Sequence, residues 1–404
     1  MNRIKELNVL FHNRKVGKMK LFKNYFAAFE YDKEWLLDGF AINPFSLPLK
    51  QQVFIPKQEP FDGLFGAFAD SLPDGWGRLL VDRLLLQNNI NPIEVNNLDR
   101  LSIVGHSGMG ALAYEPDYNL NRATKDVDLD ILADECSKIL RTDYIENVDE
   151  LFKLGGSSGG ARPKILTTID DEEWIIKFPS TEDKKNIGKQ EYDYSLCAKE
   201  CGIRMMETKL FASKVCEGYF GTKRFDRIRN QGIEKRVHML SVSGLLETSH
   251  RIPNLDYDIL MKLTLTLTKD FQEVEQLYRL MCFNVFAHNR DDHSKNFTFL
   301  YNNEESKWVL SPAYDLLAVL LADPNDTDEL AMPIFTGGKT TGFDRDTFLQ
   351  AFIQSGVPAN TAEKRIAKMT GYKDRWFELI DSSFLPEDLK ASYKNLITTR
   401  LSRL

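Results

Sequence analysis

The sequence predicts an α+β protein with three parts: a β-rich N-terminal domain, a small α/β lobe and a larger, mostly α-helical lobe. Short apolar runs separated by polar turns fill the first 57 residues, which favours strands. Strands around one helix are predicted between residues 151 and 230. Long amphipathic runs at 257–288 and 386–403 predict helices in the last part. A chain of 404 residues accommodates two or three domains.

The composition is that of a folded protein. Hydrophobic residues make up 43% of the chain and aromatic residues 11%, which supports sizeable cores. The formal net charge of -7 disfavours a protein whose main task is to hold nucleic acid by itself. The five scattered cysteines do not suggest a disulfide framework, and neither a signal peptide nor a long apolar segment is evident. We therefore expect a cytoplasmic protein without membrane segments.

The N-terminal third begins with three predicted strands, Leu7–Phe11, Phe26–Tyr31 and Gln52–Ile55. A turn at residues 73–75 precedes a predicted helix that starts at Trp76. The segment GHSGMG at 105–110 lacks the spacing of a dinucleotide fingerprint or a Walker loop, so we interpret it as a structural turn.

A polar, acidic stretch from about residue 118 to 150 indicates a domain junction, and it contains a predicted helix at Leu129–Leu140. Directly after it, the segment 155-GGSSGGARPKIL-166 leads into a predicted strand. Glycines let successive backbone N–H groups turn inward and bind an anion, and Arg162 and Lys164 add positive charge. From these residues alone, an anion-binding loop and a flexible hairpin connection are equally good interpretations.

The next strand, 174-WIIKFPS-180, places Lys177 on the face opposite Ile176 and Phe178. A lysine inside an apolar strand needs an anionic partner, either a nucleotide phosphate or a carboxylate. Glu191 supplies a carboxylate on the following helix, where it shares one face with Ile187, Tyr194, Ala198 and Cys201. Kinases use such a lysine–glutamate pair to hold the α- and β-phosphates of ATP. The alternative is a snorkelling lysine and a glutamate at the edge of the stripe.

The densest cluster of reactive side chains is 288-HNRDDHSKNF-297, which follows a helix. A binuclear metal hydrolase would use His288, Asp291, Asp292 and His293 as ligands, but the other histidines of the chain do not cluster. A solvated turn is disfavoured because apolar residues flank the segment. Phosphoryl transfer is the third interpretation, because Asp291 and Asn296 are five residues apart, as in a kinase catalytic loop.

A second metal-binding carboxylate should follow such a loop, and Asp315 lies nineteen residues beyond Asn296, after a predicted strand at Trp308–Leu310. Oxygen ligands of this kind suit Mg²⁺. Lys295 is placed to neutralise the transferring phosphoryl group. We expect His293 to brace the loop through hydrogen bonds and Asp292 to point away from Asp291.

The ordered set resembles the HipA family of bacterial serine/threonine kinases, the toxin half of HipBA-type toxin–antitoxin systems. The resemblance covers most of the chain. Its segments are FGAFADSLPDGWGRLLVDR (65–83), VGHSGMGALAYEP (104–116), GGSSGGARPK (155–164), WIIKFP (174–179), KRFDR (223–227), FNVFAHNRDDHSKNF (283–297) and LSPAYDLL (310–317).

The resemblance implies a two-lobed, protein-kinase-like fold, with an N-terminal subdomain at 1–120, a kinase N-lobe at 121–235 and a helical C-lobe at 236–404. It implies that Asp291 is the catalytic base, assisted by Lys295 and His293, and that Asn296 and Asp315 bind Mg²⁺. The implied ATP-binding residues are Ser157, Ser158, Gly159, Gly160, Lys164, Lys177, Glu191, Arg224 and Asp226.

Members of this family autophosphorylate a serine of the glycine-rich loop, which silences the kinase. The matching residue is Ser157, with Ser158 as the second candidate. Known targets of the family include aminoacyl-tRNA synthetases, and the antitoxin is a small helix-turn-helix protein through which the complex binds operator DNA. The alternative is a catalytically silent, kinase-shaped scaffold that binds an antitoxin and operator DNA.

Overall fold

The structure is a computed structural model that describes residues 3–118, 128–141, 151, 154–155, 159–230, 233–252, 255–317, 328–335, 337–383 and 385–404. The chain forms two compact units. Unit 1 comprises Met1–Gly188, Phe211–Ser249 and Leu300–Ser306, and unit 2 comprises Lys189–Leu210, His250–Phe299 and Lys307–Leu404. The division at residues 120 and 235 stays a prediction.

Unit 1 begins with an antiparallel five-stranded sheet of order β4-β3-β2-β1-β5. The strands expected near residues 7–11, 26–31 and 52–55 are confirmed. The sequence pattern does not predict β2, because its lysines make the segment resemble a polar turn; these lysines face solvent, whereas Val16 and Met19 are fully buried. The strands are β1 (Glu6–Phe11), β2 (Arg14–Phe22), β3 (Phe26–Tyr31), β4 (Val53–Phe54) and β5 (Leu112–Glu115).

Three of the first helices of unit 1 begin at a polar cap, since the side chains of Asp32, Asn96 and Asp128 accept hydrogen bonds from the first turns that follow them. The Asn96 side chain accepts from the backbone N–H of Asp99, and the Asp99 carboxylate accepts from the backbone N–H of Asn96, which starts α4 with a capping box. That helix ends at Gly105, whose positive φ of 51° favours glycine. The helices are α1 (Lys33–Asp38), α2 (Gly66–Ala69), α3 (Gly75–Gln87), α4 (Asn97–Val104) and α5 (Leu129–Leu140), so the helices expected from residue 76 and over 129–140 are confirmed.

One hydrophobic core joins α3 and α5 to the strands that follow them. It contains fully buried side chains from α3 (Leu80), α5 (Leu132), β6 (Ile165) and β7 (Ile176). The strands β6 (Lys164–Ile169), β7 (Glu172–Lys177) and β9 (Tyr219–Lys223) are neighbours in one sheet. The other elements of this stretch are α6 (Ile187–Glu200), β8 (Thr208–Phe211), β10 (Arg227–Asn230), β11 (Ile233–Arg236), β12 (His238–Ser241) and α7 (Val242–Leu246).

Unit 2 is mostly helical, as predicted. The amphipathic run at 257–288 is two helices, because Lys269 adopts a left-handed conformation with a φ of 55° and the Asp270 side chain then caps the second helix. The ring of Tyr278 stacks on Phe352 with centroids 4.1 Å apart in the core. The elements of this part of the chain are α8 (Tyr257–Thr268), α9 (Phe271–Phe286), the neighbouring strands β13 (Thr298–Asn302) and β14 (Lys307–Leu310), α10 (Arg345–Gln354), α11 (Ala359–Thr370), α12 (Lys373–Ser382) and α13 (Glu387–Leu401). Of these, β13 continues into unit 1 from Leu300.

Candidate functional site

The structure describes Gly155 and the residues from Gly159 onwards in the glycine-rich loop, whereas Ser157 and Ser158 lie outside the described residues. Gly160 has a φ of 87°, a left-handed conformation that glycine adopts without strain. A Cβ atom on Gly160 would lie 2.5 Å from the Nζ atom of Lys164, so the lysine ammonium lies directly beside the loop backbone. The loop therefore combines a tight glycine turn with a cation, as an anion site requires.

The two candidate lysines of this loop and strand are direct neighbours across the sheet. Lys164 on β6 is opposite Lys177 on β7, and Lys177 is in turn opposite Phe220 on β9. The three side chains therefore share one face, and the Nζ atom of Lys177 lies 5.5 Å from the ring centroid of Phe220. The expected placement of Lys177 is confirmed, because Ile176 and Phe178 are buried on the other face.

Lys164 and Lys177 place two cations side by side on one face of the sheet, and Lys164 is only 6% exposed. The residues present therefore fit the phosphates of a nucleotide.

Arg224 and Asp226 form a fully buried ion pair in unit 1. The Arg224 guanidinium donates to both carboxylate oxygens of Asp226 at 2.9 and 2.8 Å, and Arg227 and the backbone N–H of Gly110 also donate to Asp226 at 2.7 Å each. Burial acts to raise the pKa of Asp226, but the two guanidinium charges outweigh it and hold that pKa well below its usual range.

The same network engages the glycine-rich turn at 105–110. Arg227 donates to the carbonyl oxygens of Gly108 and Gly110 at 2.7 and 2.9 Å, which supports the interpretation of this segment as a structural turn. The assignment of Arg224 and Asp226 to cofactor binding stays a prediction, since their described contacts are with the protein itself.

In unit 2 the polar loop, residues 288–296, is anchored where it leaves α9. The carbonyl oxygen of Ala287 accepts hydrogen bonds from the hydroxyls of Tyr194 at 2.8 Å and Tyr393 at 2.7 Å. Arg400, also on α13, donates to the carbonyl of Val285 and lies 2.9 Å from the Nδ1 atom of His288. Sequence reasoning missed Tyr393 and Arg400, because nothing local connects the last helix with this loop.

Two predicted residues of the loop, His288 and Asp292, are buried to 1% exposure. Burial, together with the charges of Arg400 and Arg290, lowers the pKa of His288 to about 4, so its ring is neutral at physiological pH. Asp292 accepts hydrogen bonds from the hydroxyl of Tyr257 and the backbone N–H of Ala331. These contacts place Asp292 in the interior, whereas the side chain of Asp291 is 56% exposed.

Asp291, His293 and Asn296 are held together by short contacts. The Nε2 atom of His293 lies 3.2 Å from Oδ1 of Asp291. The Nδ2 atom of Asn296 donates to the backbone carbonyl of Asp291 at 2.6 Å, and the backbone N–H of Asn296 donates to the carbonyl of His293 at 2.9 Å. The side-chain carbonyl oxygen of Asn296 is therefore the atom left to bind a cation.

The pKa of His293 reflects the negative charge of the carboxylates around it. Burial acts to lower the pKa of His293, but the hydrogen bond and charge of Asp291, with the charges of Asp315 and Asp292, outweigh it and raise that pKa. Asp315 therefore lies close enough to act on the His293 ring. These contacts fit the bracing role expected for His293.

Asp315 has a φ of 52°, a left-handed conformation that is uncommon for residues other than glycine and that concentrates at functional sites. The residue before it, Tyr314, donates its hydroxyl to the carbonyl of Lys295 at 2.6 Å, which ties this segment to the polar loop. The backbone N–H of Ala313 donates to the carbonyl of Arg204 at 2.7 Å.

A buried carboxylate missed by the sequence reasoning supports the strand that leads to Asp315. Glu273 accepts from both terminal nitrogens of Arg204 at 3.1 and 2.6 Å and from the backbone N–H of Leu310 at 3.1 Å. Glu273 is 7% exposed. Its position in the first turn of α9 would by itself suggest only a favourable interaction with the helix dipole.

The helical face predicted for Glu191 is confirmed, because Glu191, Tyr194, Ala198 and Cys201 are all buried. Glu191 belongs to unit 2 and Lys177 to unit 1, and the pairing of the two stays a prediction. Within the described ranges, no group of three or more His, Cys, Asp or Glu side chains is arranged to hold a metal ion. The carboxamide of Asn296 and the carboxylate of Asp315 are instead the hard oxygen ligands that Mg²⁺ prefers.

Among the helices that the structure describes, none has the length and apolar character needed to cross a membrane. The sequence matches two family descriptions: the HipA N-terminal domain over residues 7–115 and the HipA-like C-terminal domain over residues 156–376, which is more than half of the chain.

Two known proteins are similar to this chain over most of its length. A protein of Sinorhizobium fredii (strain NBRC 101917 / NGR234) named "Putative kinase Y4mE" is 23% identical over 91% of this chain and 89% of its own length. The chain in the structure of the Shewanella oneidensis MR-1 toxin–antitoxin system HipA, HipB and operator DNA complex has a TM-score of 0.72 and 18% identity. That match covers 98% of this chain and 97% of the other, and it shows that the two share a mixed α+β fold.

Proposed function

The chain belongs to the HipA family, and from this membership and the geometry of its site we propose that it is an ATP- and Mg²⁺-dependent serine/threonine protein kinase. We propose further that it is the toxin of a type II toxin–antitoxin system. The observation that carries the proposal is the arrangement of the polar loop, in which an exposed Asp291 is held by His293 and Asn296 beside a left-handed Asp315.

Four residues of the polar loop, together with Asp315, have a role in phosphoryl transfer under this proposal. Asp291 accepts the proton of the attacking serine or threonine hydroxyl, and His293 keeps the Asp291 carboxylate in place. Asn296 and Asp315 would hold Mg²⁺ through their oxygens, where the ion would supply positive charge to the nucleotide phosphates. Lys295 adds positive charge beside the transferring group.

The glycine-rich loop and the paired lysines provide the nucleotide side of the proposal. Backbone N–H groups of the glycine-rich loop act as anion donors, while Lys164 and Lys177 contact the phosphates. Glu191 aims Lys177 in the manner of the kinase lysine–glutamate pair.

Mass spectrometry after incubation with ATP and Mg²⁺ tests the activity. Freshly dephosphorylated wild-type protein should gain one phosphate, and Asp291→Asn should gain none. Asp388→Asn, which removes an exposed carboxylate in the first turn of α13, is the matched control and should behave as wild type. No gain by the wild type would instead favour the catalytically silent scaffold.

We propose that Ser157 is the self-modified residue of the loop and that its phosphorylation silences the kinase. Ser157→Ala should then lose the phosphate, while Ser158→Ala should keep it. The reverse pattern would transfer the role to Ser158. Fragmentation of the loop peptide in the mass spectrometer distinguishes these positions directly.

We propose a helix-turn-helix antitoxin similar to HipB as the partner, with operator DNA bound only through that complex. This proposal is supported by the complex of the structural relative from Shewanella oneidensis. Expression of the chain alone should slow growth, and Asp315→Ala should relieve the effect. Equal toxicity of both chains would count against phosphoryl transfer as the cause.

The proposed substrate is a translation component such as an aminoacyl-tRNA synthetase. Phosphoproteomes of host cells that express the wild type or Asp291→Asn should differ at a site on such an enzyme. A difference confined to other proteins would replace the substrate without affecting the proposed activity.

A further inference from the structure

Asp74 occupies the N-cap position of α3 but does not cap that helix. An aspartate at this position usually accepts a hydrogen bond from a backbone N–H in the first turn of its own helix, and the Asp74 side chain makes no such bond. Its Oδ1 atom instead accepts from the backbone N–H of Gly160, 86 residues further along the chain. The carboxylate is therefore directed at the glycine-rich loop.

Two neighbours of Asp74 hold the same part of the loop. The backbone N–H of Trp76 donates to the carbonyl of Gly160 at 2.9 Å, and the indole Nε1 of Trp76 donates to the carbonyl of Lys164 at 3.1 Å. Gly75 has a φ of 44°, and a Cβ atom there would overlap the carbonyl oxygen of Gly160. The turn at 74–76 thus engages both the N–H and the C=O of Gly160 and requires a glycine between them.

Lys164 connects this contact to the proposed nucleotide site. Its ammonium lies beside Gly160, its carbonyl is held by Trp76, and its side chain is opposite Lys177 on the neighbouring strand. A shift of Gly160 would therefore move the cation and the loop backbone together.

We propose that the turn at 74–76, which lies in the segment matching the HipA N-terminal domain, is a structural part of the nucleotide site and that Asp74 is its positioning residue. This inference rests on the proposed kinase function. Asp74 holds the left-handed Gly160 in place before the nucleotide binds. Binding therefore does not have to fix this residue, which would otherwise weaken nucleotide affinity.

The experiment measures kinetics and nucleotide binding of the full-length chain. Asp74→Ala removes the acceptor, and KM for ATP and Kd for Mg²⁺-ATP should each rise by about tenfold, with kcat within about twofold of wild type. Asp74→Asn keeps an acceptor oxygen, and its rise should be about threefold. Asp82→Asn, on the same helix and 2.9 Å from Arg100, is the matched control and should leave both constants unchanged.

Thermal unfolding of the same variants separates positioning from general support of the fold. A lower Tm of Asp74→Ala with unchanged KM and Kd would overturn the inference. Tighter Mg²⁺-ATP binding by Asp74→Asn would also overturn it, because the carboxylate would then compete with phosphate for the loop. Absence of ATP binding by the wild type would overturn the proposed function itself, whereas normal wild-type binding with unaffected variants would overturn only the role of Asp74.

Discussion

Asp292→Asn should change how the stability of the protein depends on pH. Burial raises the pKa of Asp292 to about 6, although hydrogen bonds from the Ala331 backbone and the Tyr257 hydroxyl act in the opposite direction. In the unfolded chain the same carboxyl has its ordinary pKa of about 4. Between these two values the folded protein keeps a proton that the unfolded chain releases.

The sign and the size of the effect follow from this difference. The contribution of Asp292 to stability is fully present below about pH 4 and is lost as the pH rises through about 6. A shift of about two units corresponds to about 3 kcal/mol, at 1.36 kcal/mol per unit. Asparagine resembles the protonated acid and does not titrate. As the pH rises from 4 to 7, the free energy of unfolding of Asp292→Asn should therefore increase by about 3 kcal/mol relative to that of the wild type.

His288 acts in the opposite direction, since its pKa is lowered to about 4. Its contribution is present above the ordinary histidine pKa of about 6.5 and is lost as the pH falls through about 4. The two groups partly cancel in the wild type, and the variant should show the His288 dependence without the opposing dependence of Asp292. Burial also lowers the pKa of His238 to about 4, so His238 adds to the His288 dependence in both proteins.

Urea unfolding followed by tryptophan fluorescence, at half-unit steps from pH 4 to pH 7, measures this difference. The control is Asp388→Asn, whose exposed carboxylate should leave the pH profile parallel to that of the wild type. A free-energy difference between wild type and Asp292→Asn that stays constant across the range would refute the reasoning, because Asp292 would then titrate alike in both states.

Three further substitutions test other contacts. Glu273→Gln weakens the charge-assisted hydrogen bonds that support β14 and should cost about 2 kcal/mol of unfolding free energy and reduce kcat, both measured against wild type. Leu132→Ala leaves a cavity in the core of unit 1, where Leu132 is 1% exposed, and should cost about 3 kcal/mol in urea unfolding. Tyr393→Phe should lower the free energy of unfolding by about 1 kcal/mol, since Tyr194 still donates to the Ala287 carbonyl. The double variant with Tyr194→Phe should lose more unfolding free energy than the two single variants together, because that carbonyl then has neither hydroxyl donor.

Features set by local periodicity were predictable from the sequence. The apolar spacing of Leu129–Leu140 marks a helix with the same bounds in the structure, and strand alternation places Lys177 opposite its buried neighbours. The five-residue spacing of Asp291 and Asn296 likewise pointed to one loop, in which Asn296 donates to the Asp291 carbonyl, while the roles of these residues and of Asp315 stay predictions. These features depend on residues within a few turns or one loop of each other.

Contacts between distant segments were not predictable in this way. Tyr393 reaches a carbonyl 106 residues earlier, and Asp74 reaches Gly160 across 86 residues, so no pattern within a window of the sequence links them. The pairing of Lys164 with Lys177 depends on strand register, which a shift of one residue would abolish. The sequence pattern did not predict the helix break at Lys269, because the apolar spacing continues across it.

Lys164 and Lys177 lie opposite each other on the two strands of the β6–β7 hairpin, so a polyphosphate bound to both would span the strands. Its negative charge would attract a cation on each strand at once. Ligand and strand pairing would thereby reinforce each other, so that filling the site also tightens the hairpin that builds it.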